Sequence, residues 1–303
     1  MLAQLRLSGF YDSTFKSMRD SILTILEQEV PENIYVLAAK ADKLERTGTA
    51  DDVEAAWKHI LELNPNHAVA YNQLGYLELH RGNYDQAIEY MQKYAFLAPD
   101  LANPHDSLGD VYLVIGRYED AQAEFKKSIE MQPDFYYSII NFGKVFLARG
   151  QLDKGLSILE KVRAEVKGSN LERKVDGEII GTYLAAGLEE DLGRTVADYI
   201  TRYPDSEMSP VYRAISLAYQ GRFLEGRAVM DSVLADWRSS EAYQFYPAAK
   251  TNIDRTDAMF EAIGTGSTKT VAITVQHNDV ADGADGDWAD VDAAALIDPA
   301  TGA

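Results

Sequence analysis

The feature that most limits what this chain can fold into is a period of 34 residues. Prolines stand at Pro31, Pro65, Pro99 and Pro133, and glycines at Gly48, Gly82, Gly116 and Gly150, both in steps of 34. The columns between them keep the same phase: Leu74, Leu108 and Phe142; Gly75, Gly109 and Gly143; Val53, Ala87, Ala121 and Gly155; Trp57, Met91, Phe125 and Leu159. Self-similarity at a fixed period of roughly 20–50 residues marks a stack of small structural units rather than one closed globule.

The physics of one repeat is readable from residues 68–101. Tyr71, Leu74, Gly75 and Glu78 lie three or four apart and share one face of a first helix. Gly82 interrupts that helix where a tight turn needs a permissive backbone. Tyr84, Ala87, Ile88 and Met91 mark the face of a second helix, which stops before Pro99 because proline cannot extend it. Small residues at 75 and 87 predict a close approach of the two helices. A helix pair this short cannot bury its apolar face alone, so neighbouring pairs must stack.

The phase slips once. Gly150 to Gly187 is 37 residues, and Gly187 to Gly221 is 34 again. The slip falls within residues 160–174, where a longer second helix and a polar loop are expected. Leu23, Leu26 and Pro31 match only the second half of a repeat. The organisation expected is a degenerate N-terminal element over 1–33, about six repeats over 34–240, a capping helix over 241–263 and an acidic tail over 264–303. The tail holds seven Asp, one Lys and no Glu, a composition that favours disorder.

These columns resemble the tetratricopeptide repeat. The large–small pair is Leu74 and Gly75, the small position Ala87, the bulky position Met91 and the closing proline Pro99. Residues 102–135 repeat the pattern with Leu108, Gly109, Tyr112, Gly116, Tyr118, Ala121, Phe125 and Pro133. Repeat 34–67 departs from it with Lys40 and Ala41 in the large–small pair, and repeat 136–172 with Gly155 for the small alanine. The run 70–135 is similar to bacterial arrays that often lie downstream of a signalling domain such as a kinase or a winged helix. The resemblance covers roughly 31–240. It implies an all-α fold, a right-handed superhelical solenoid of helix-turn-helix repeats, and protein or peptide binding in a concave groove without catalysis.

Charge narrows the partners. The chain carries 48 acidic and 29 basic residues, a net charge of −19, and that field repels nucleic acid and anionic lipid. No stretch approaches the roughly 20 apolar residues of a membrane span. Residues 1–20 lack the basic cluster, apolar core and cleavage site of a secretory leader, so the chain reads as cytoplasmic. Cysteine is absent, which excludes disulfides, thiolate metal sites and cysteine nucleophiles.

Chemistry-bearing patterns are not found. His59, His67, His80, His105 and His277 fall in no HExxH or HxH spacing, and neither GxxxxGK[ST] nor GxSxG occurs. The tail segment DGADGDWADVD misses the calcium-loop spacing and has no closing Glu. No cofactor, metal or catalytic residue is expected.

If positions 4, 7, 8 and 11 of each first helix face the core, positions 2, 5, 9 and 12 form the neighbouring stripe, which in the family lines the groove. Here it reads Tyr35, Ala38 and Asp42; Val69, Asn72 and Tyr76; Asn103, Asp106 and Asp110; Tyr137, Ile140 and Lys144. Tyr35, Asp42, Asn72, Tyr76, Asn103, Asp106, Asp110, Tyr137 and Lys144 are the candidate partner-binding residues. Aromatic bodies beside carboxylates suit a peptide with basic or aromatic side chains. Asp42, Tyr76 and Asp110 occupy the ninth position in three successive repeats, so the basic clamp of chaperone-tail-binding members is missing there. The function expected is a scaffold holding a peptide or partner domain in the groove. The alternative is a regulatory or sensory module of a larger signalling assembly, docked through its N-terminal end.

Overall fold

The computed structural model describes residues 13–239, together with Asp257 and Phe260. The described residues form thirteen α-helices and no strand: α1 (Ser13–Glu29), α2 (Ile34–Thr47), α3 (Ala50–Leu63), α4 (Ala68–His80), α5 (Tyr84–Leu97), α6 (Asn103–Val114), α7 (Tyr118–Met131), α8 (Tyr136–Ala148), α9 (Leu152–Glu165), α10 (Asn170–Ala185), α11 (Glu189–Arg202), α12 (Met208–Tyr219) and α13 (Phe223–Ser239). This is the all-α helical-repeat solenoid class read from the period. Two compact units are formed, the first ending at Val111 and the second beginning at Tyr112.

In the first unit each helix from α1 to α5 packs on the next. Helix α3 starts at Thr49, whose Oγ1 accepts from the Asp52 amide at 3.2 Å while Asp52 accepts from the Thr49 amide at 2.9 Å. Asp51 and Asp52 lie in the first turn, where the helix dipole favours negative charge. The apolar face then buries Val53, Trp57 and Ile60 against Ala38, Ala41, Ala70 and Leu74. Trp57 satisfies its one donor on Glu45 at 3.0 Å.

The glycine column has a conformational cause. Gly82, Gly116, Gly150, Gly187 and Gly221 all have φ between 66° and 78°, the left-handed region that other residues enter only under strain. Gly48, read from the sequence as their equivalent, has φ −105° and ends α2 in extended backbone, with Thr49 already capping α3. Its turn is made by the cap, so it falls outside the left-handed set.

Close approach is equally direct. A Cβ at Gly75 would lie 2.8 Å from Met91 Cε, which confirms the expected contact between α4 and α5. A Cβ at Gly155 would collide with the Leu147 side chain. Glycine therefore replaces the alanine of this column because α8 and α9 leave no room for a methyl group.

The second unit runs from the end of α6 to α13, and each helix from α7 onward packs on the next. Ile140, Leu159, Val162, Val166, Val175 and Ile179 form one core, and Tyr199, Tyr212, Ile215, Met230 and Phe260 are among the members of another. The phase slip lies where the sequence placed it, but in a different element. Helix α9 has 14 residues, as do α3, α5 and α7, whereas α10 has 16 against 13 in α4 and α8. The added residues lengthen the first helix. Gly168 turns with φ 81° and its amide donates to Glu172 at 2.6 Å, so the new helix begins directly after Ser169.

Of the expected capping helix 241–263, only Asp257 and Phe260 are described. Phe260 is fully buried and stacks on Phe223 with centroids 5.2 Å apart. Asp257 pairs with Arg227 and Arg238, each at 2.8 Å. Residues 1–12 and the tail 264–303 lie outside the described residues.

Candidate functional site

In the first unit the stripe is carried by α2, α4 and α6. Tyr35 near the start of α2 is 63% exposed. Asp42, Asn72 and Asn103 are half-buried. The Asn103 carboxamide oxygen accepts from the Tyr94 hydroxyl at 2.9 Å, which ties it to α5. Asn72 differs, because its buried Oδ1 has no hydrogen-bond partner among the described residues.

Tyr76, Asp106 and Asp110 are 6%, 2% and 5% exposed. The Tyr76 hydroxyl donates to Asp110 Oδ2 at 3.1 Å across 34 residues. A buried carboxylate needs such donors to offset lost hydration. The expectation that these three positions lie beside the core-facing ones is corrected by their burial. The Tyr76–Asp110 hydrogen bond joins the ninth position of one repeat to that of the next. Of the apolar members of the stripe, Ala38 and Ile140 are core residues and Val69 is a partly buried one packed against the core.

In the second unit the stripe continues on α8 and α10. Tyr137 is 40% exposed, and Lys174 Nζ stands over its ring at 4.7 Å from the centroid. Lys144 is 9% exposed and faces Glu178 of α10 at 3.6 Å. Lys174 and Glu178 were not among the residues singled out from the sequence. A signal for Lys174 was present, since it follows Tyr137 by the slipped period of 37.

A second polar group forms where α10 is extended. Asp176 is fully buried and meets Arg202 at 2.7 Å, Arg163 at 3.4 Å and the Tyr203 hydroxyl at 3.1 Å. Arg202 also reaches Glu172 at 2.9 Å. Burial, and then the charge of Asp176, raise the Tyr203 hydroxyl well above its ordinary pKa. The group holds α9, α10 and α11 together, and its charges are spent on one another. Among the described residues no three His, Asp or Glu side chains gather as a metal ion would need. No described helix is long and apolar enough to cross a membrane.

Two family models, both described as tetratricopeptide repeat, match residues 56–89 and 104–135. The second covers the helix pair α6 and α7, while the first begins within α3, takes in the whole of α4 and ends within α5. The chain carries tetratricopeptide repeats. Solved structures share the fold of this repeat protein at low identity. PilW, a widely conserved type IV pilus biogenesis factor, is 17% identical over 70% of this chain and 96% of its own, with a TM-score of 0.54. A chain of the APC/C hetero-tetramer Cut9–Hcn1 is 14% identical over 84% of this chain and 48% of its own, with a TM-score of 0.59. PilF of Pseudomonas aeruginosa is 14% identical over 71% of this chain and 96% of its own, with a TM-score of 0.50. No curated protein sequence matches the tetratricopeptide chain.

Proposed function

We propose that this tetratricopeptide protein is a non-enzymatic scaffold that binds a peptide or a partner domain along the first-helix stripe. Asn72 carries the reading. Its carboxamide oxygen is buried with no donor among the described residues, at a cost of about 1–3 kcal/mol, and a main-chain N–H of an extended peptide would supply what it lacks. The tetratricopeptide assignment supports protein binding in general. Exposed Tyr35 and half-buried Asp42 on the same side of the first unit favour a ligand with basic or aromatic side chains there.

The test begins with peptides selected by display against the whole chain, followed by measurement of their affinity for Asn72→Leu. Loss of binding with unchanged circular dichroism supports the reading, and equal affinity contradicts it. Docking through the N-terminal end is a second reading. It is favoured by Ile25 on α1 and by Val30 just beyond it, which are 60% and 42% exposed.

A further inference from the structure

We propose that the first-helix face of the second unit binds an acidic protein segment, with Lys144 and Lys174 as its anchors. The proposal rests on the scaffold reading above and adds the charge of the ligand taken by this unit.

Lys144 is the stronger observation. It emerges from α8, a helix whose neighbouring residues Ile140 and Val145 are fully buried, and is itself 9% exposed. A cation so far removed from water needs close oxygen partners. Its ion-pair partner among the described residues is Glu178, and 3.6 Å is longer than the roughly 2.7–3.2 Å of an N–H···O bond. An ammonium carries three donors, so a second carboxylate fits the chemistry of the site.

Open space lies one turn beyond Glu178 on α10. Glu178 lies one turn before Gly181 on α10, and a Cβ at Gly181 would meet nothing within 4 Å. The second cation lies on the same face. Lys174 stands over Tyr137, and Tyr137 and Lys144 are two turns apart on α8, about 10 Å at 1.5 Å per residue. Carboxylates about three residues apart in an extended segment span the same distance, at roughly 3.3 Å per residue.

Competing acids are already engaged. Asp176 belongs to Arg202 and Arg163, and Glu172 to Arg202 and the Gly168 amide. That leaves Glu178 as the carboxylate facing Lys144. The wider field agrees. Residues 13–111 carry 16 acidic and 8 basic side chains, whereas residues 112–239 carry 20 and 17. The second unit is therefore close to neutral and does not repel an acidic ligand as the first does.

The experiment is titration calorimetry of the full chain with a twelve-residue peptide of Asp and Glu spaced by Gly and Ala, beside its Asn/Gln counterpart. The acidic peptide is expected to bind, to weaken as salt is raised, and to outbind the neutral peptide by about tenfold or more. Lys174→Gln and Lys144→Gln should each weaken it by about tenfold. Glu178→Gln should tighten it, because it removes the carboxylate that competes for Lys144, and a folding defect cannot imitate a gain of affinity. No binding, equal affinity for the neutral peptide, or weaker binding by Glu178→Gln overturns the proposal. If display-selected peptides lose affinity on Asn72→Leu while the acidic peptide fails, the acidic preference alone falls and the scaffold reading stands.

Discussion

Replacing Asp176 with leucine should cost the second unit about 3 kcal/mol, the lower end of what breaking a buried ion pair costs when one partner is left behind. Asp176 is fully buried, but the side chain of Arg202 is 27% exposed and keeps Glu172 at 2.9 Å and Asp198 at 2.7 Å. Those contacts and the remaining hydration keep the cost from the upper end. For a unit of this size the loss corresponds to a fall in Tm of roughly 10 °C. Arg202→Met added to Asp176→Leu should recover most of it, because apolar residues in place of a buried pair are often neutral or stabilising. Urea unfolding followed by circular dichroism gives the three free energies. Hydrogen exchange over α9 to α11 localises them, since repeat arrays open by neighbouring units. A single variant within 0.5 kcal/mol of the parent, or a double variant no better than the single one, would refute the claim that these charges clamp the extended helix.

Gly155→Ala should destabilise by about 1–3 kcal/mol through the clash with Leu147, and a stabilised variant would mean that α8 and α9 are further apart than described. His59 should titrate above its ordinary value, because the Glu62 and then the Glu32 carboxylates hydrogen-bond its ring. A raised histidine adds stability that is fully present below its unfolded pKa and is lost as pH rises through the folded one. NMR titration should therefore show the midpoint falling in Glu62→Gln. Tyr76→Phe should cost about 1 kcal/mol or more, since it leaves the buried Asp110 without that donor, and an unchanged urea midpoint would contradict the contact.

The repeat, its turns and its helix faces were legible because each is written in the identity of single residues at fixed spacing. A left-handed glycine, a proline that ends a helix and a bulky–small pair leave signatures that survive without knowledge of neighbours. The burial of the stripe was not legible in this way. Whether Tyr76 and Asp110 face solvent or each other depends on how closely successive first helices approach, which no single residue at a fixed spacing states. The three-residue slip was visible as a number, but its element was not. The left-handed turn at Gly168 and the Gly168–Glu172 hydrogen bond decide that α10 starts early, and neither follows a periodic column. Gly155 read as a departure from the family pattern, and its cause is the Leu147 side chain pressed against it. Lys174 escaped notice because the slip moved it out of the 34-residue register that located Tyr137.

The proposed function puts its ligands on the first helices. Its most direct test is hydrogen exchange by mass spectrometry on the full chain, with and without a display-selected peptide at saturation. Slowed exchange is expected on first helices, over α2, α4 and α6 for a basic or aromatic peptide and over α8 and α10 for an acidic one. Slowing confined to the second helices α3, α5, α7 and α9 would contradict it.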